Sequence, residues 1–287
     1  MESQIPLKDR MVVYIGVLGV LLMSWFYIIG MGWHMGTLPF MDNTTMKMPM
    51  DGSMEMPMDG SMKMEGGVSF LSSILMWMPP MNNLWQAYDF LLLFLMWSVM
   101  MIAMMTPSIL PMLMLFTTLN SKKKQQGQEV SSTLVLLVGY LFSWIIFSLV
   151  ITVPQYLMHK SGLLNPMMEP MHAYLASSML ILAGVYQFTP LKDACLAVCQ
   201  SPLSFLMNNW KDGNLGAFII GYKHGYFCVG CCWALMLTLF ALGVMNIMWV
   251  IVLTIFVLFE KLSYKNPILY RKVTGFLFIA WGTILAL

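Results

Sequence analysis

Long apolar runs alternate with short polar connections along most of the chain, and this pattern predicts membrane-spanning helices. About 20 apolar residues of α-helix are needed to cross the hydrocarbon core of a bilayer. The runs predict seven spans, at residues 11–31, about 90–118, 131–153, 173–188, about 217–242, 245–259 and 273–287. We therefore predict an all-α fold, a polytopic membrane helical bundle of about seven transmembrane helices.

The positively charged residues in the connections predict the orientation of this bundle. If seven spans alternate, one side holds Lys8, Arg10, Lys122, Lys123, Lys124, Lys192, Lys211, Lys261, Lys265, Arg271 and Lys272. The other side holds only Lys47, Lys63 and Lys160. Basic connections stay in the cytoplasm, so the N-terminus is predicted to be cytoplasmic. Three segments follow: the N-terminal tail and first helix (1–31), an extracytoplasmic Met-rich loop (32–89) and a six-helix metal-binding membrane domain (90–287).

Composition narrows the class of protein further. Of the 287 residues, 59% are hydrophobic and 10% are charged, with a net charge of +2. An average soluble domain has about 25% charged residues, so a soluble enzyme and a disordered tail are excluded. No basic footprint for nucleic acid is present. The bilayer is thus a predicted partner.

The predicted extracytoplasmic loop contains an eight-residue repeat, Met48–Glu55 followed by Met56–Lys63. Its candidate copper-capturing residues are Met46, Met48, Met50, Met54, Met56, Met58, Met62 and Met64. Thioether sulfur is soft and carries no proton, which favours Cu(I) over hard cations. In a water-exposed segment, core packing does not explain these methionines. The alternative is a low-complexity linker without a metal role.

Other candidate copper ligands lie outside the repeat. His34, His159 and His172 fall on the predicted outer side, where imidazole would add to the thioethers. The alternative is that each is a solvated interfacial histidine. Met96, Met100 and Met104 recur every four residues along the second span, so they form a stripe that is a candidate relay for the ion. Methionine is also an adaptable apolar filler, and the stripe is equally typical of packing.

All five cysteines fall in one stretch of the chain, close to a histidine. The candidate metal ligands are Cys195, Cys199, His224, Cys228, Cys231 and Cys232. The last four fall within an arc of about 100° on one helix. Thiolate and imidazole bind Cu(I) or Zn(II). Lys192, Lys223 and Glu260 are candidate supporting residues, because ionisable groups near or inside a membrane are commonly functional. The alternative is that the cysteines are small buried hydrophobes.

The segments around these cysteines resemble a known family. They comprise Gly184–Lys192 with Cys195 and Cys199–Pro202, Lys223–Met236, Gly243–Asn246, Glu260–Lys261, and Trp97 and Met100 with Ala103–Pro107. The chain from about Trp85 to Leu287 is similar to the prokaryotic domain of unknown function 2182 family, described as predicted metal-binding integral membrane proteins. The resemblance implies metal ligands at the same five cysteines and His224, and it implies the plasma membrane of a prokaryote as the location. The family usually has Arg where this chain has Gln200, and the Met repeat lies outside the resemblance.

Soft ligands at both ends of one predicted bundle favour an integral membrane copper-handling protein. In this hypothesis the loop captures Cu(I) and the Cys/His cluster holds it in the membrane or at its cytoplasmic side, with zinc as the alternative metal. Two other functions stay open: an accessory subunit or assembly factor of a larger membrane copper enzyme, and a membrane thiol oxidoreductase. We expect a non-enzymatic role and assign no catalytic residue. The expected partners are a metal ion and either subunits of a membrane complex or a copper chaperone.

Overall fold

A computed structural model describes residues 7–34, 80, 85–128, 130–165, 168, 170–262 and 267–287. Apart from a single bridge between Leu164 and Pro170, the regular structure in these residues is helical. The helices are α1 (Leu7–His34), α2 (Ala87–Gln125), α3 (Thr133–Lys160), α4 (Ala173–Tyr186), α5 (Pro190–Gln200), α6 (Pro202–Asn209), α7 (Gly213–Leu242), α8 (Ile247–Leu262) and α9 (Pro267–Ala286). The predicted all-α fold is confirmed.

Five of these helices are long and apolar enough to cross a membrane: α1, α2, α3, α7 and α9. A sixth span is obtained if α4 and α5, which meet at a 67° bend, are one broken span. Helix α8 has 16 residues and so extends about 24 Å, short of the roughly 30 Å hydrocarbon core. Seven spans are therefore not confirmed, and the orientation of the bundle stays a prediction.

Helix α2 is longer than the predicted second span and runs without a break through Pro107 and Pro111. The carbonyl of Met105, just before this proline pair, accepts hydrogen bonds from the hydroxyls of Ser108 and Tyr140. The Tyr140 hydroxyl thus joins the proline region of α2 to α3.

Helices α3 and α7 approach each other closely at glycines. A Cβ at Gly139 would meet the backbone carbonyl of Phe218, and a Cβ at Gly221 would meet that of Leu136. Small residues let membrane helices pack backbone to backbone, where van der Waals contact replaces the missing hydrophobic driving force. Helix α7 also packs against α4, α5 and α8, so it lies at the centre of the bundle.

Polar contacts tie together the helix ends at one side of the bundle. Lys123 near the end of α2 forms a 2.6 Å ion pair with Asp212, which precedes α7. The pKa of Asp212 lies below its usual value because the carboxylate accepts hydrogen bonds from Lys123 and then Trp210. Asn214 accepts a hydrogen bond from the backbone N–H of Ser132, which precedes α3. The basic end of α2 and the amino ends of α3 and α7 therefore lie together.

The Met repeat falls between α1 and α2 and lies outside the described residues, as does the side chain of His34. The division of the chain at residues 31 and 89 stays a prediction. The predicted boundary at residue 89 lies close to Ala87, where α2 begins.

Candidate metal site

Four thiols meet in the interior of the bundle, three from α7 and one from α5. Cys199 Sγ lies 3.9 Å from Cys231 Sγ, and Cys231 Sγ lies 3.3 Å from Cys232 Sγ. Cys228 is buried on α7, one turn before Cys231 and Cys232. All five cysteines of the chain are free. We call Cys199, Cys228, Cys231 and Cys232 the thiol cluster.

Two polar side chains from other helices contact Cys228, and a third side chain contacts both of them. The ammonium of Lys261 in α8 donates to Cys228 Sγ at 2.7 Å and to the hydroxyl of Ser108 in α2 at 3.0 Å. The hydroxyl of Tyr140 in α3 lies 3.0 Å from the same sulfur. This sulfur therefore has polar partners on α3 and α8, and its position depends on how these helices pack against α7.

His224 lies one turn before Cys228 on α7 and is 3% exposed. Its Nδ1 is buried and has no hydrogen-bond partner. The imidazole lines a small cavity of about 10 Å³ together with Cys199, Lys261 and Met112. A cavity of about this volume holds one water-sized sphere. A buried imidazole nitrogen without a partner costs free energy, and an ion or a water in this cavity would relieve that cost.

The donor set fits a soft metal ion. Two metal–sulfur bonds of about 2.3 Å each reach at most about 4.6 Å, so sulfurs 3.9 Å apart can share one ion. Among the described residues, however, no three His, Cys, Asp or Glu side chains are already arranged to hold a metal. Cys231 Sγ is directed to the carbonyl of Cys228 at 3.1 Å, which is one reason why the thiols are close without converging on a point.

The structure does not bring all predicted ligands to the thiol cluster. Cys195 is buried on α5, but its sulfur lies against Gly230, where a Cβ would come within 2.8 Å of it. Residues four apart on a helix share a face, yet Cys199 alone of the α5 pair reaches the sulfurs of α7. The spacing of two residues along one helix does not determine which of them contacts the neighbouring helix.

Two of the three predicted supporting residues form a buried ion pair near the site. Lys192 Nζ lies 2.7 Å from Glu260 Oε1, and neither side chain is more than 2% exposed. Lys223 is different, because its side chain is exposed and donates to Asn209 at 3.3 Å. Lys223 therefore points away from the thiol cluster, on the outer face of α7.

The start of α5 is determined by local sequence. Thr189 is the N-cap residue, and its hydroxyl accepts a hydrogen bond from the backbone N–H of Lys192. Pro190 occupies the first turn, where its missing N–H costs nothing. At the other end, the side chain of Gln200 donates to the backbone carbonyl of Glu260 at 2.9 Å. Helix α5 is thus fixed against α8, and Cys199 is held beside α7.

The remaining predicted residues lie elsewhere. Met96, Met100 and Met104 are all buried along the core face of α2. His159 is also buried, and its Nδ1 accepts a hydrogen bond from Trp85 Nε1 at 3.2 Å. His172 is the exposed N-cap residue of α4. The stripe of methionines is therefore internal, whereas His159 and His172 do not share a site.

Sequence reasoning did not find Lys261, Tyr140 and Ser108 as parts of the site. The sequence pattern predicts that Lys261 lies in a polar connection, because it follows an apolar run. It instead lies inside α8 and is 5% exposed. The predicted span ends at residue 259, three residues before Leu262, where α8 ends. The apolar pattern therefore leaves Lys261 outside the helix and gives no sign that this lysine is buried.

A model of the family PpoB2, described as copper chaperone, matches residues 94–285. This range excludes the Met repeat and includes every residue of the thiol cluster. The name differs from that of the domain of unknown function 2182 family, which the motifs resemble. No curated protein and no solved structure matches the chain significantly.

Proposed function

The chain belongs to the PpoB2 family of copper chaperones, and on that premise we propose that it is a membrane protein that binds Cu(I) at its buried thiols and passes it to a partner. The five to six candidate spans support a location in a membrane. A prokaryotic plasma membrane is part of the proposal.

The observation that carries this proposal is the meeting of α5 and α7 at sulfur. Cys199 and Cys231 come from different helices, yet their sulfurs lie 3.9 Å apart, and Cys228 lies one turn before Cys231 on the same helix. Soft thiolates favour Cu(I) and Zn(II) over hard cations, and the family match favours copper of the two. We assign Cys199, Cys228 and Cys231 as the principal ligands, with Cys232 beside them.

His224 supports the same assignment from the other side of the cavity. Its Nδ1 has no partner, and imidazole is a good ligand for copper. The small cavity that it shares with Cys199 and Met112 would let an ion reach the thiols without unfolding a helix. These thiols need to move by only a small distance to converge, because the sulfurs of Cys199 and Cys232 both lie within 4 Å of the Cys231 sulfur.

We propose that copper reaches this site through the methionines. The Met repeat would capture Cu(I) outside, and Met96, Met100 and Met104 would provide thioethers along the interior of α2. Their burial supports this part of the proposal, because a path for an ion must run inside the bundle rather than along lipid. A chaperone releases its ion to another protein, so a copper enzyme of the same membrane is the proposed recipient.

The first test is Cu(I) affinity, measured anaerobically on the detergent-purified protein by competition with a chromophoric Cu(I) chelator. We expect Cys228→Ser to lower the affinity more than the roughly 10–100-fold that loss of an outer-shell partner costs, because a ligand is removed. His224→Ala should lower it as well. Cys195→Ser is the matched control, since Cys195 is buried nearby but lies apart from the thiol cluster.

Unchanged affinity in both Cys228→Ser and His224→Ala would contradict the proposal. Trapping of a mixed disulfide with another protein in a single-cysteine variant, without copper binding, would instead support the thiol oxidoreductase.

A further inference from the structure

Lys261 is a buried lysine whose ammonium faces sulfur. Its Nζ contacts Cys228 Sγ at 2.7 Å and Ser108 Oγ at 3.0 Å. No carboxylate among the described residues forms an ion pair with it. The adjacent carboxylate of Glu260 is paired with Lys192 instead. The positive charge of Lys261 is therefore available to whatever occupies the thiol cluster.

Contacts of α8 hold this ammonium in place. Glu260 is fixed through its side chain by Lys192 and through its backbone carbonyl by Gln200. Consecutive residues on a helix point about 100° apart, so anchoring Glu260 toward α5 directs Lys261 toward α2 and α7. The ammonium is thus preorganised beside Cys228 rather than free to swing toward the membrane surface.

We propose that Lys261 makes the thiol cluster select a singly charged soft cation over a divalent one. This inference rests on the proposed function, and it names a residue that determines which metal that function can use. Its basis is charge balance in a buried site, where an uncompensated charge is costly.

The charge count separates the two metals. Cys231 donates its S–H to the Cys228 carbonyl, so it is counted here as a neutral thiol, which leaves Cys199 and Cys228 as the thiolates. Two thiolates with Cu(I) carry one net negative charge, which the ammonium of Lys261 neutralises. Two thiolates with Zn(II) are already neutral, so the same ammonium leaves one positive charge unbalanced. At an effective dielectric constant of about 20 and a separation of about 5 Å, one added unit of charge beside the ammonium changes affinity on the order of a hundredfold.

The experiment compares Cu(I) and Zn(II) affinities of the detergent-purified full chain, each by competition with a chelator specific for that metal. Lys261→Met removes the charge and keeps a side chain of similar length. We expect it to raise the Zn(II) affinity relative to that of Cu(I) by at least about tenfold. Lys261→Arg keeps a permanent charge and should retain the preference of the wild type.

Lys223→Met is the matched control. It also removes the charge of one lysine, but the side chain of Lys223 is exposed and points away from the thiol cluster. It should leave the ratio of the two affinities unchanged. If Lys261→Met does not fold, Lys261→Gln replaces it, since the amide keeps a donor near Cys228 and Ser108 without the charge.

The outcomes separate the two proposals. A wild-type protein that binds no Cu(I) would remove the proposed function. Normal Cu(I) binding with an unchanged ratio in the charge-removing variant would overturn only the role of Lys261. Wild-type protein that binds Zn(II) at the thiols as tightly as Cu(I) would overturn it too, whatever the variants do.

Discussion

Tyr140 shows how a single side chain links the helices around the thiols. Its hydroxyl donates to the Met105 carbonyl at 3.2 Å and lies 3.0 Å from Cys228 Sγ. The hydroxyl of Ser108 also donates a hydrogen bond to the Met105 carbonyl, and it lies 3.1 Å from the Tyr140 oxygen. Tyr140 therefore orients Cys228, and its own loss leaves the Met105 carbonyl with a partner.

Tyr140→Phe tests this role at the residue scale. We expect Cu(I) affinity to fall by roughly tenfold, less than in Cys228→Ser, because the hydroxyl orients a ligand without being one. The free energy of unfolding should fall by about 1 kcal/mol, the net contribution of one hydrogen bond. Chelator competition and thermal unfolding in detergent measure the two effects.

Tyr174→Phe is the control for this change, because Tyr174 is 76% exposed. Loss of copper binding in Tyr140→Phe as complete as in Cys228→Ser would show that the hydroxyl does more than orient Cys228.

At the scale of the helices, the contact between α3 and α7 determines whether Cys228 of the thiol cluster contacts Tyr140. Gly221 lies two turns before Cys228, at the point where α7 touches the backbone of α3 near Leu136. Tyr140 lies one turn further along α3 from Leu136. The same close approach therefore brings the Tyr140 hydroxyl within reach of the Cys228 sulfur.

Gly221→Leu is expected to push α3 and α7 apart. Overpacking of a well-packed contact costs about 1–3 kcal/mol, and the separation should also lower Cu(I) affinity because Tyr140 and Cys228 move out of contact. Thermal unfolding in detergent and chelator competition are the measurements.

Gly19→Leu is the matched control in α1, since a Cβ at Gly19 has no atom within 4 Å. It should change neither quantity. If Gly221→Leu behaves like Gly19→Leu, the backbone contact between α3 and α7 is not what holds the site together.

At the scale of the whole molecule, soft ligands are arranged in two groups. The family match covers residues 94–285 and leaves out the repeat. The thiol cluster lies within the matched region, whereas the repeat lies outside both the match and the described residues. Each group of ligands can therefore be removed without changing the other. Removing one group shows how much copper the other group binds by itself.

Replacing the nine methionines from Met41 to Met64 with serine keeps the loop at full length and removes its sulfur. We expect fewer copper ions per chain by mass spectrometry, with the affinity of the tightest site unchanged, because that site lies at the thiols. Replacing the serines and glycines of the same segment with alanine is the control. A loss of the tightest site in the methionine variant would contradict the division into two groups.

Much of the architecture follows from the sequence alone, because a bilayer permits few solutions. Helices α1, α2, α3, α7 and α9 are long apolar runs, and a membrane-spanning segment must satisfy its backbone hydrogen bonds internally. Helix α8 and the bent pair α4 and α5 were harder to classify. Their runs are short, and only packing against other helices determines whether they reach across.

The sequence by itself determined that soft ligands are concentrated on α7, since His224, Cys228, Cys231 and Cys232 share a face by helical periodicity. Only the tertiary structure decided which groups from other helices join them. In the folded chain Cys199 lies beside the thiols of α7, whereas Cys195 lies against Gly230. Lys223 points away from the thiol cluster and donates to Asn209. Periodicity orders the residues of one helix. It carries no information on the contacts between helices, so it could not have placed the ammonium of Lys261 on Cys228.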